Sequence, residues 1–399
     1  MFSERIQRLT GSLIREILAL TQKEGVISFA GGLPAMEAMP ALDMAHVPQG
    51  LRQYGTTEGE PALRARIAAE LTALGRACSP EQVLITAGSQ QGIDLVSKLF
   101  VDPGTPVVVE APSYLAALQS FRLFGASFTT LPLSPQGIDA TALRLAIAKQ
   151  RPAFVYLIPT FQNPSGYCYS AATRAAVAKV LDDEGIPLIE DEPYRELRYE
   201  PVESTPISAQ LKRAPWVYLG SLSKTAMPGL RIGYLAASSE LYPLLVRIKQ
   251  STDLHTNRPS QWWAEQFLGN PDYPAHLERL RERYRVQRDA MAAALNRHFL
   301  DIAEWEVPSG GLFFWVLLKE QLETRLLLKR ALERNVAFMP GEPFFADHDQ
   351  PMGRLRLNFS HADGPAIERG VAILAEVIRA AMAQPSSQTD FAPSDRRQG

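Results

Sequence analysis

The most informative stretch of the chain is Gly220-Ser221-Leu222-Ser223-Lys224-Thr225-Ala226-Met227-Pro228-Gly229-Leu230-Arg231-Ile232-Gly233-Tyr234, which directly follows a predicted strand at 217–219. Lys224 lies in a turn at the end of that strand, with the hydroxyls of Ser221 and Ser223 before it and the guanidinium of Arg231 after it. An aldehyde cofactor with a phosphate tail needs these groups, because the amine can form a Schiff base and the others can hydrogen-bond the phosphate. Residue types alone favour a solvated lysine in a serine-rich loop, so the choice depends on other segments.

Strand and helix patterns alternate on the N-terminal side of this motif. Short β-rich runs, each followed by a turn residue, lie at 83–86, 106–110, 154–158 and 187–191. Strands that are buried on both faces have this composition, and helical periodicity at 88–100 and after residue 113 follows the first two of them. The alternation predicts an α/β fold in which a mostly parallel sheet lies between helical layers.

The pattern changes after residue 299 to strands mixed with helices, with strand runs at 305–307, 311–316 and 354–359. This mixture predicts a second, smaller α+β domain. We expect residues 46–285 to form the large domain and residues 286–383 the smaller one, to which the N-terminal helix and substrate-covering segment of residues 1–45 also belong. The polar residues 384–399 are expected to form a disordered tail.

The composition excludes several classes of protein. Across 399 residues, 41 basic and 43 acidic side chains give a net charge of −2 and a pI of about 6.4, so no overall electrostatic signature points to nucleic acid or an anionic membrane. Cys78 and Cys168 form neither a disulfide framework nor a metal-ligand motif, and we expect no metal site. Without an apolar run of about 18 residues or a signal-peptide core, we expect a cytoplasmic protein without a membrane segment.

An acidic and an aromatic residue follow another strand at the same predicted edge of the sheet. The strand at 187–191 ends in Asp191, whose carboxylate can pair with a protonated pyridinium nitrogen and so keep the ring an electron sink. Tyr194 lies three residues further along and can donate its phenol to a ring oxygen. Asp191 fits the N-cap of a helix equally well, so this alternative stays open.

Three more segments lie where predicted strands end. The amide of Asn163, in an Asn-Pro turn, can bond a ring oxygen and a substrate carboxylate, although such a sequence is commonly only a turn. Ser89 and Gln90 begin a helix, and their backbone N–H groups form an anion site without the glycine pattern of a dinucleotide or nucleotide loop. Tyr114 can stack on a planar ring or pack in the core.

Together, these motifs and their order resemble the class I/II aminotransferases of the aspartate aminotransferase fold, which are fold-type I pyridoxal phosphate enzymes. The resemblance covers residues 12–382 and rests on Gly88-Ser89-Gln90-Gln91, Pro112-Ser113-Tyr114, Gln162-Asn163-Pro164, Asp191-Glu192-Pro193-Tyr194, Ser221-Leu222-Ser223-Lys224, Pro228-Gly229-Leu230-Arg231 and Arg354-Leu355-Arg356-Leu357-Asn358-Phe359-Ser360. Other segments are similar to the broad-specificity 2-aminoadipate and kynurenine aminotransferase branch: Ser12-Leu13-Ile14-Arg15-Glu16, Ser28-Phe29-Ala30-Gly31-Gly32-Leu33-Pro34, Tyr54 with Thr57-Glu58-Gly59, and Asp253-Leu254-His255-Thr256.

The resemblance implies how the cofactor, pyridoxal 5'-phosphate, would be held. Lys224 would hold it as an aldimine and act as the base that moves the Cα proton, with Asp191 and Tyr194 as the other catalytic residues. Tyr114 would stack on the ring, and Asn163 would bond the ring oxygen. The phosphate would be held by Ser89, Gln90, Ser221, Ser223 and Arg231.

The resemblance also implies substrate-binding residues. Arg356 would clamp the substrate α-carboxylate with its guanidinium fork, together with Asn163 and the backbone of Gly32. Tyr54 would reach the phosphate or substrate of the neighbouring subunit, which requires a homodimer with shared active sites. Arg15, with Ser12 nearby, would bind the distal carboxylate of acidic substrates from a helix over the pocket, and the alternative is a solvated arginine on an amphipathic helix.

These residues imply an aminotransferase of amino acid metabolism that moves an amino group from an L-amino acid to a 2-oxo acid, with 2-oxoglutarate expected, in ping-pong half-reactions. We expect broad specificity for 2-aminoadipate, aromatic or branched-chain donors. The alternatives are another reaction of the same cofactor and fold, such as a β-lyase or decarboxylase, and a cofactor-binding regulatory module. About ten residues precede the first predicted helix, too few for the DNA-binding domain of such a regulator. The missing glycine fingerprint excludes a nicotinamide oxidoreductase.

Overall fold

The structure is a computed structural model that describes residues 2–8, 17, 25–41, 45–346 and 351–383. Of the predicted helix at 12–20, Ile17 is among these residues, and it is buried. Ser12, Arg15 and the expected tail at 384–399 lie outside them.

Strands and helices alternate as the sequence predicts. The strands are β1 (Ile27–Ser28), β2 (Val83–Thr86), β3 (Pro106–Ala111), β4 (Ser127–Ser134), β5 (Gly137–Ile138), β6 (Phe154–Leu157), β7 (Leu188–Asp191), β8 (Trp216–Ser221), β9 (Gly233–Ala237), β10 (Ala303–Trp305), β11 (Phe313–Leu318), β12 (Val336–Ala337), β13 (Met339–Pro340) and β14 (Arg354–Asn358). The α-helices are α1 (Pro61–Ala73), α2 (Ser89–Phe100), α3 (Leu115–Phe124), α4 (Ala140–Gln150), α5 (Ala171–Glu184), α6 (Ile207–Gln210), α7 (Tyr242–Asp253), α8 (Arg258–Gly269), α9 (Tyr273–His298), α10 (Thr324–Leu332) and α11 (Gly364–Met382).

An eight-stranded sheet in the order β2-β9-β8-β7-β6-β3-β4-β5 forms the centre of the large domain. The neighbours from β8 through β7, β6 and β3 to β4 pair in parallel, which confirms the predicted mostly parallel sheet. Strand β9 pairs antiparallel with both β2 and β8, and β5 pairs antiparallel with β4. The sequence patterns predicted neither β4 nor β9 as a strand, because β4 is half exposed and β9 is a short run that begins at the end of the lysine motif.

Both faces of this sheet are covered by apolar side chains. Val155 and Leu157 of β6 point into one buried cluster, whereas Tyr156 between them points into the cluster on the opposite face. Burying a large apolar side chain contributes about 1.5–3 kcal/mol each, so a sheet covered on both faces is strongly held. The strand ends therefore form a rigid edge on which polar side chains can be fixed.

The smaller domain contains an antiparallel sheet in the order β10-β11-β14-β13, which packs with α9, α10 and α11 around one core. Strand β1 pairs in parallel with β12, and Asn358 N donates to Phe29 O at 2.8 Å, so the N-terminal segment lies against this domain. Helix α9 runs through the expected domain boundary at 285, and its Tyr284 and Leu295 pack into the core of the smaller domain. Within the described ranges, none of the helices combines the length and apolar character needed to cross a membrane.

Candidate active site

The predicted cofactor-binding residues meet at the carboxyl edge of the large sheet. A cavity of about 140 Å³ there is lined by Ser89, Gln90, Tyr114, Ile158, Asn163, Asp191, Pro193, Tyr194, Ser221, Ser223, Lys224, Pro228 and Arg231. A larger cavity, of about 660 Å³, lies between α8, α9 and residues 37–41, but it contains none of the predicted site residues. We therefore take the smaller cavity as the candidate active site.

Asp191 lies at the floor of this cavity with half of its carboxylate unsatisfied. Tyr156 OH donates to Asp191 Oδ2 at 2.7 Å, whereas the buried Oδ1 has no hydrogen-bond partner within the described part of the chain. Burial raises the pKa of Asp191 to about 6, and the hydrogen bond from Tyr156 opposes this rise. Burying a carboxylate oxygen without a hydrogen-bond partner costs free energy. Oδ1 is therefore suited to accept a hydrogen bond from a ligand, and a cationic donor would stabilise the charged carboxylate most.

Tyr156 was not among the predicted site residues, although strand periodicity contains a signal for it. Tyr156 is opposite Ile189 in the parallel pairing of β6 with β7, and Asp191 follows Ile189 by two residues. Side chains two residues apart in a strand lie on the same face, so Tyr156 and Asp191 share one face of the sheet. Finding this contact needs the register, which the sequence alone does not give.

Lys224 enters the cavity from the turn after β8. Its Nζ donates to the carbonyl oxygen of Gly32 at 2.9 Å and lies 5.8 Å from the ring centroid of Tyr194. Burial, and then the charges of Arg356 and Arg231, lower the pKa of Lys224 to about 8. A substantial fraction of this amine is therefore neutral near physiological pH, as a nucleophile or a base requires.

The opposite end of the cavity is built for an anion. Helix α2 begins at Ser89 after Gly88, which has a φ of +80°, and a Cβ at Gly88 would lie 2.5 Å from Arg231 Nη2. Arg231 Nη2 donates to Ala87 O at 3.3 Å, and Ser221 Oγ accepts from Ser223 N at 3.1 Å. Helix N–H groups, hydroxyls and a guanidinium thus converge, which is the donor set for a phosphate.

Asn163 links Tyr194 to Arg356 through its two amide atoms. Its Nδ2 donates to Tyr194 OH at 3.5 Å, and its Oδ1 accepts from Arg356 Nη1 at 2.8 Å. The turn that carries Asn163 is held by Gln162, whose Nε2 donates to Glu110 Oε2 at 3.1 Å and to Pro112 O at 2.7 Å. Neither Gln162 nor Glu110 was among the predicted site residues. Glu110 is fully buried, and burial raises its pKa to about 7.

Arg356 reaches the site from β14 of the smaller domain. Its Nη2 donates to Ala30 O at 2.6 Å, and its guanidinium carbon lies 4.2 Å from the ring centroid of Phe313 and 5.1 Å from that of Phe344. Burial lowers the pKa of Arg356 to about 10, and Nε has no hydrogen-bond partner in the described ranges. Neither aromatic ring was part of the predicted site, because both contacts depend on how the smaller domain folds.

The remaining predicted residues are distributed differently. Gly32 lies beside the cavity, where its carbonyl accepts from Lys224 and a Cβ would lie 3.1 Å from Phe313 Cζ. Tyr54 lies outside the cavity with 76% of its surface exposed, and its ring packs edge-on against His255. Ser12 and Arg15 fall outside the described residues, so their predicted contacts stay predictions.

The cavity fits pyridoxal phosphate at three points. The unsatisfied Oδ1 of Asp191 matches a protonated ring nitrogen, and the anion-binding end matches the phosphate. The amine of Lys224, with its lowered pKa, matches the aldehyde. The same chain thus supplies an acceptor, an anion site and a nucleophile in one small space.

Comparisons with known proteins agree with this assignment. The chain matches the family described as aminotransferase class I and II over residues 23–374. It is 39% identical over 393 residues to a 2-aminoadipate transaminase of Thermus thermophilus, covering 96% of this chain and 97% of that protein. It is 37% identical over 396 residues to aromatic-amino-acid aminotransferase 1 of Thermococcus litoralis, covering 96% of this chain and 94% of that protein.

A solved structure shows the same fold. The crystal structure of alpha-aminoadipate aminotransferase from Thermus thermophilus, complexed with N-(5'-phosphopyridoxyl)-L-leucine, has a TM-score of 0.88 at 38% identity and covers 96% of this chain and 98% of its own. The architecture and its sheet-edge cavity define a fold-type I enzyme that uses pyridoxal phosphate. Within that class, the chain belongs to the class I and II aminotransferases. It transfers amino groups between small-molecule amino acids and 2-oxo acids. These comparisons confirm the predicted fold, cofactor and reaction.

Proposed function

We propose that this aminotransferase has broad specificity, taking 2-aminoadipate and aromatic or branched-chain L-amino acids as donors and 2-oxoglutarate as acceptor. The relatives named for 2-aminoadipate and for aromatic amino acids support this range. The observation that carries the proposal is the environment of Arg356, which is 4% exposed. Within the described part of the chain, its hydrogen bonds go to an amide oxygen and a carbonyl oxygen, and none goes to a carboxylate.

A buried guanidinium without a carboxylate partner favours a bound anion. Burial of the charge is costly, and a carboxylate in fork geometry offsets that cost with charge-assisted hydrogen bonds. Every amino acid and 2-oxo acid has such a carboxylate beside its reacting carbon. An enzyme that anchors its substrates at this common group can tolerate different side chains, so Arg356 supports a wide range of donors.

The side chains of the cavity then divide the chemistry among them. Bound pyridoxal phosphate supplies an electron sink for the electron pair that remains when Cα loses its proton. Lys224 would accept that proton on Nζ as a neutral amine and would later return it as the acid. Asp191 would keep the ring nitrogen protonated through Oδ1, and Tyr194 and Asn163 would hydrogen-bond the ring oxygen. Arg356 holds the substrate α-carboxylate, so that Cα stays within reach of Lys224.

The proposal also includes a homodimer in the cytoplasm. Tyr54, at 76% exposure, and Leu254, at 42%, are large side chains on the open surface of one chain. We propose that Tyr54 reaches the cofactor phosphate or the substrate in the second copy. Both cysteines are free thiols, which supports a reducing compartment.

The test is a panel of amino donors with 2-oxoglutarate, in which product glutamate is measured for each donor. Transfer from 2-aminoadipate, from an aromatic donor and from a branched-chain donor is expected. Release of pyruvate or carbon dioxide without glutamate would contradict transamination, and activity with one donor alone would contradict broad specificity.

Arg15→Ala tests how the same pocket would accept acidic substrates. We expect kcat/KM for glutamate and 2-aminoadipate to fall about 10- to 150-fold. This loss corresponds to about 1.5–3 kcal/mol of transition-state binding, the contribution of a hydrogen bond to a charged group. Apolar donors, assayed in their own half-reaction, are the internal control and should change little. Equal losses for both classes would show that Arg15 stabilises the helix instead.

A further inference from the structure

Arg258 hydrogen-bonds the backbone of the loop of residues 50–55 through one nitrogen. Arg258 Nη1 donates to Gly50 O at 3.0 Å, to Gln53 O at 3.0 Å and to Tyr54 O at 3.2 Å. Three carbonyl oxygens therefore point at one nitrogen. The loop carries Tyr54, the residue with a proposed role in the second copy.

The other side of the same guanidinium is fixed by an acid. Arg258 Nε donates to Glu60 Oε1 at 2.5 Å, and Nη2 donates to Glu60 Oε2 at 3.3 Å. Glu60 N in turn donates to Gln261 Oε1 at 2.8 Å, so the acid is tied to helix α8, on which Arg258 itself lies. Carboxylate and carbonyls together use the whole planar fork, which a lysine ammonium cannot match.

The loop lies directly on the arginine side chain. A Cβ at Gly55 would be 2.8 Å from Arg258 Cδ and 2.9 Å from Nε, so the residue after Tyr54 must be a glycine for this contact. The Tyr54 ring rests edge-on against His255, with a centroid distance of 5.8 Å, three residues before Arg258. One short turn, residues 255–258, therefore contacts both the backbone and the ring of Tyr54.

We propose that Arg258 is a positioning residue, which holds the loop of residues 50–55 so that Tyr54 points toward the cofactor phosphate in the second copy of the chain. The inference rests on the proposed homodimer and goes beyond it, because it assigns control of one subunit's cofactor affinity to an arginine in the other. Arg258 itself does not line the candidate cavity of its own chain.

The first test measures cofactor affinity in purified dimers. Arg258→Met and Tyr54→Phe should each raise the dissociation constant for pyridoxal phosphate about tenfold, close to the loss of one hydrogen bond to a charged group. The double variant should show the same increase as Tyr54→Phe alone, because both changes act through one contact. Arg258→Lys should lie between the wild type and Arg258→Met. Arg285→Met, which breaks a surface arginine–glutamate pair on α9, is the matched control and should leave the constant unchanged.

Hybrid dimers distinguish an effect on the second copy from an effect within one chain. The visible absorbance of lysine-bound cofactor reports only on sites that contain Lys224. When Arg258→Met is paired with Lys224→Ala, the reporting site receives Tyr54 from a chain with an intact Arg258, and wild-type affinity is expected. When wild type is paired with the double variant Arg258→Met/Lys224→Ala, the reporting site should bind about tenfold more weakly.

The opposite pattern in the two hybrids would overturn the inference, since Arg258 would then serve its own subunit. A lower melting temperature with unchanged cofactor affinity would also overturn it, because the clamp would then stabilise only the fold. Either result leaves transamination intact. By contrast, a wild-type chain that is a fully active monomer, or that binds no cofactor, would contradict the proposed function itself.

Discussion

The cofactor side and the substrate side of the site are built in different ways. Asp191 and Tyr156 lie on the adjacent strands β7 and β6 of one sheet, and their hydrogen bond of 2.7 Å joins residues of a single core. Arg356 comes from β14 of the other domain and donates to Ala30, 326 positions earlier in the chain. The cofactor side therefore forms when the large domain folds, whereas the substrate side also needs the smaller domain and the N-terminal segment in place.

Both sides nevertheless hold a buried charge that the chain leaves partly uncompensated. Burial raises the pKa of Asp191 to about 6 and lowers the pKa of Arg356 to about 10, so each group is shifted toward its neutral form. We propose that the ligands supply the missing partners, a ring cation for Asp191 and a carboxylate for Arg356. Selectivity for these ligands would then come from two buried charges that lack part of their hydrogen-bond partners. Each of the two charges depends on a different part of the fold.

Lys224→Ala should produce the largest effect, because we propose that Lys224 both holds the cofactor and moves the Cα proton. We expect kcat to fall by about 10⁴-fold, the upper range for a positioned general acid or base. The visible absorbance of lysine-bound cofactor should disappear as well. Lys179→Ala, on the exposed face of α5, is the control and should be indistinguishable from wild type. Multiple turnover with unchanged absorbance would show that another residue holds the cofactor.

Asp191→Asn tests the cofactor side alone. The change keeps the shape and the contact with Tyr156 but removes the charge, so the cofactor should still bind while kcat falls about 10²- to 10³-fold, equivalent to roughly 3–4 kcal/mol. Steady-state kinetics with saturating cofactor measures it, with Asp94→Asn on the surface of α2 as the control. If kcat stays near the wild-type value, Asp191 has no part in the mechanism.

Arg356→Lys tests the substrate side alone. Because lysine cannot form the bidentate fork, kcat/KM should fall about 10- to 150-fold for every donor, while cofactor affinity stays the same. Arg354→Lys, two residues earlier on the same strand, is the matched control. Loss of cofactor affinity in Arg356→Lys would break the proposed separation of the two sides.

The pKa of Lys224 predicts how cofactor uptake depends on pH. Only the neutral amine reacts with an aldehyde, so a pKa of about 8 makes the rate rise as the pH increases through 8. Between pH 7 and pH 9 the neutral fraction increases about tenfold. Stopped-flow absorbance of apoenzyme mixed with pyridoxal phosphate measures this rate. If the rate has its pH midpoint near 10.5, burial does not lower the pKa of the Lys224 amine.

Tyr156→Phe should give the smallest effect, and it tests the hydrogen bond between Tyr156 and Asp191. Loss of one hydrogen bond costs about 1 kcal/mol, so kcat should fall about fivefold. The hydroxyl lowers the pKa of Asp191, so in the protein without cofactor its removal should raise the pKa of this carboxyl, which infrared difference spectroscopy can follow. Tyr242→Phe, which removes a hydroxyl far from the cavity, serves as the control. An unchanged carboxyl titration would show that the hydrogen bond from Tyr156 does not lower the pKa of Asp191.

The amino-acid sequence is enough to predict the α/β class, the mostly parallel sheet and most of the residues that line the cavity. This is possible because parallel strands expose their carboxyl ends at one edge. Asn163, Asp191 and Lys224 lie at or just after the carboxyl ends of three separate strands, so they must lie near one another. The sequence could not predict strand β9 as an antiparallel neighbour, since a short apolar run does not encode its direction.

The tertiary structure alone decided which side chains support those residues. Tyr156 reaches Asp191 only in the observed register, Phe313 and Phe344 flank Arg356 only when the smaller domain is folded, and Arg258 meets the Tyr54 loop across about two hundred positions of sequence. The physical reason is that motif residues are placed by the local backbone, whereas their partners are selected by packing between distant segments. Periodicity reports which face a side chain takes, and only the folded chain decides what lies opposite it.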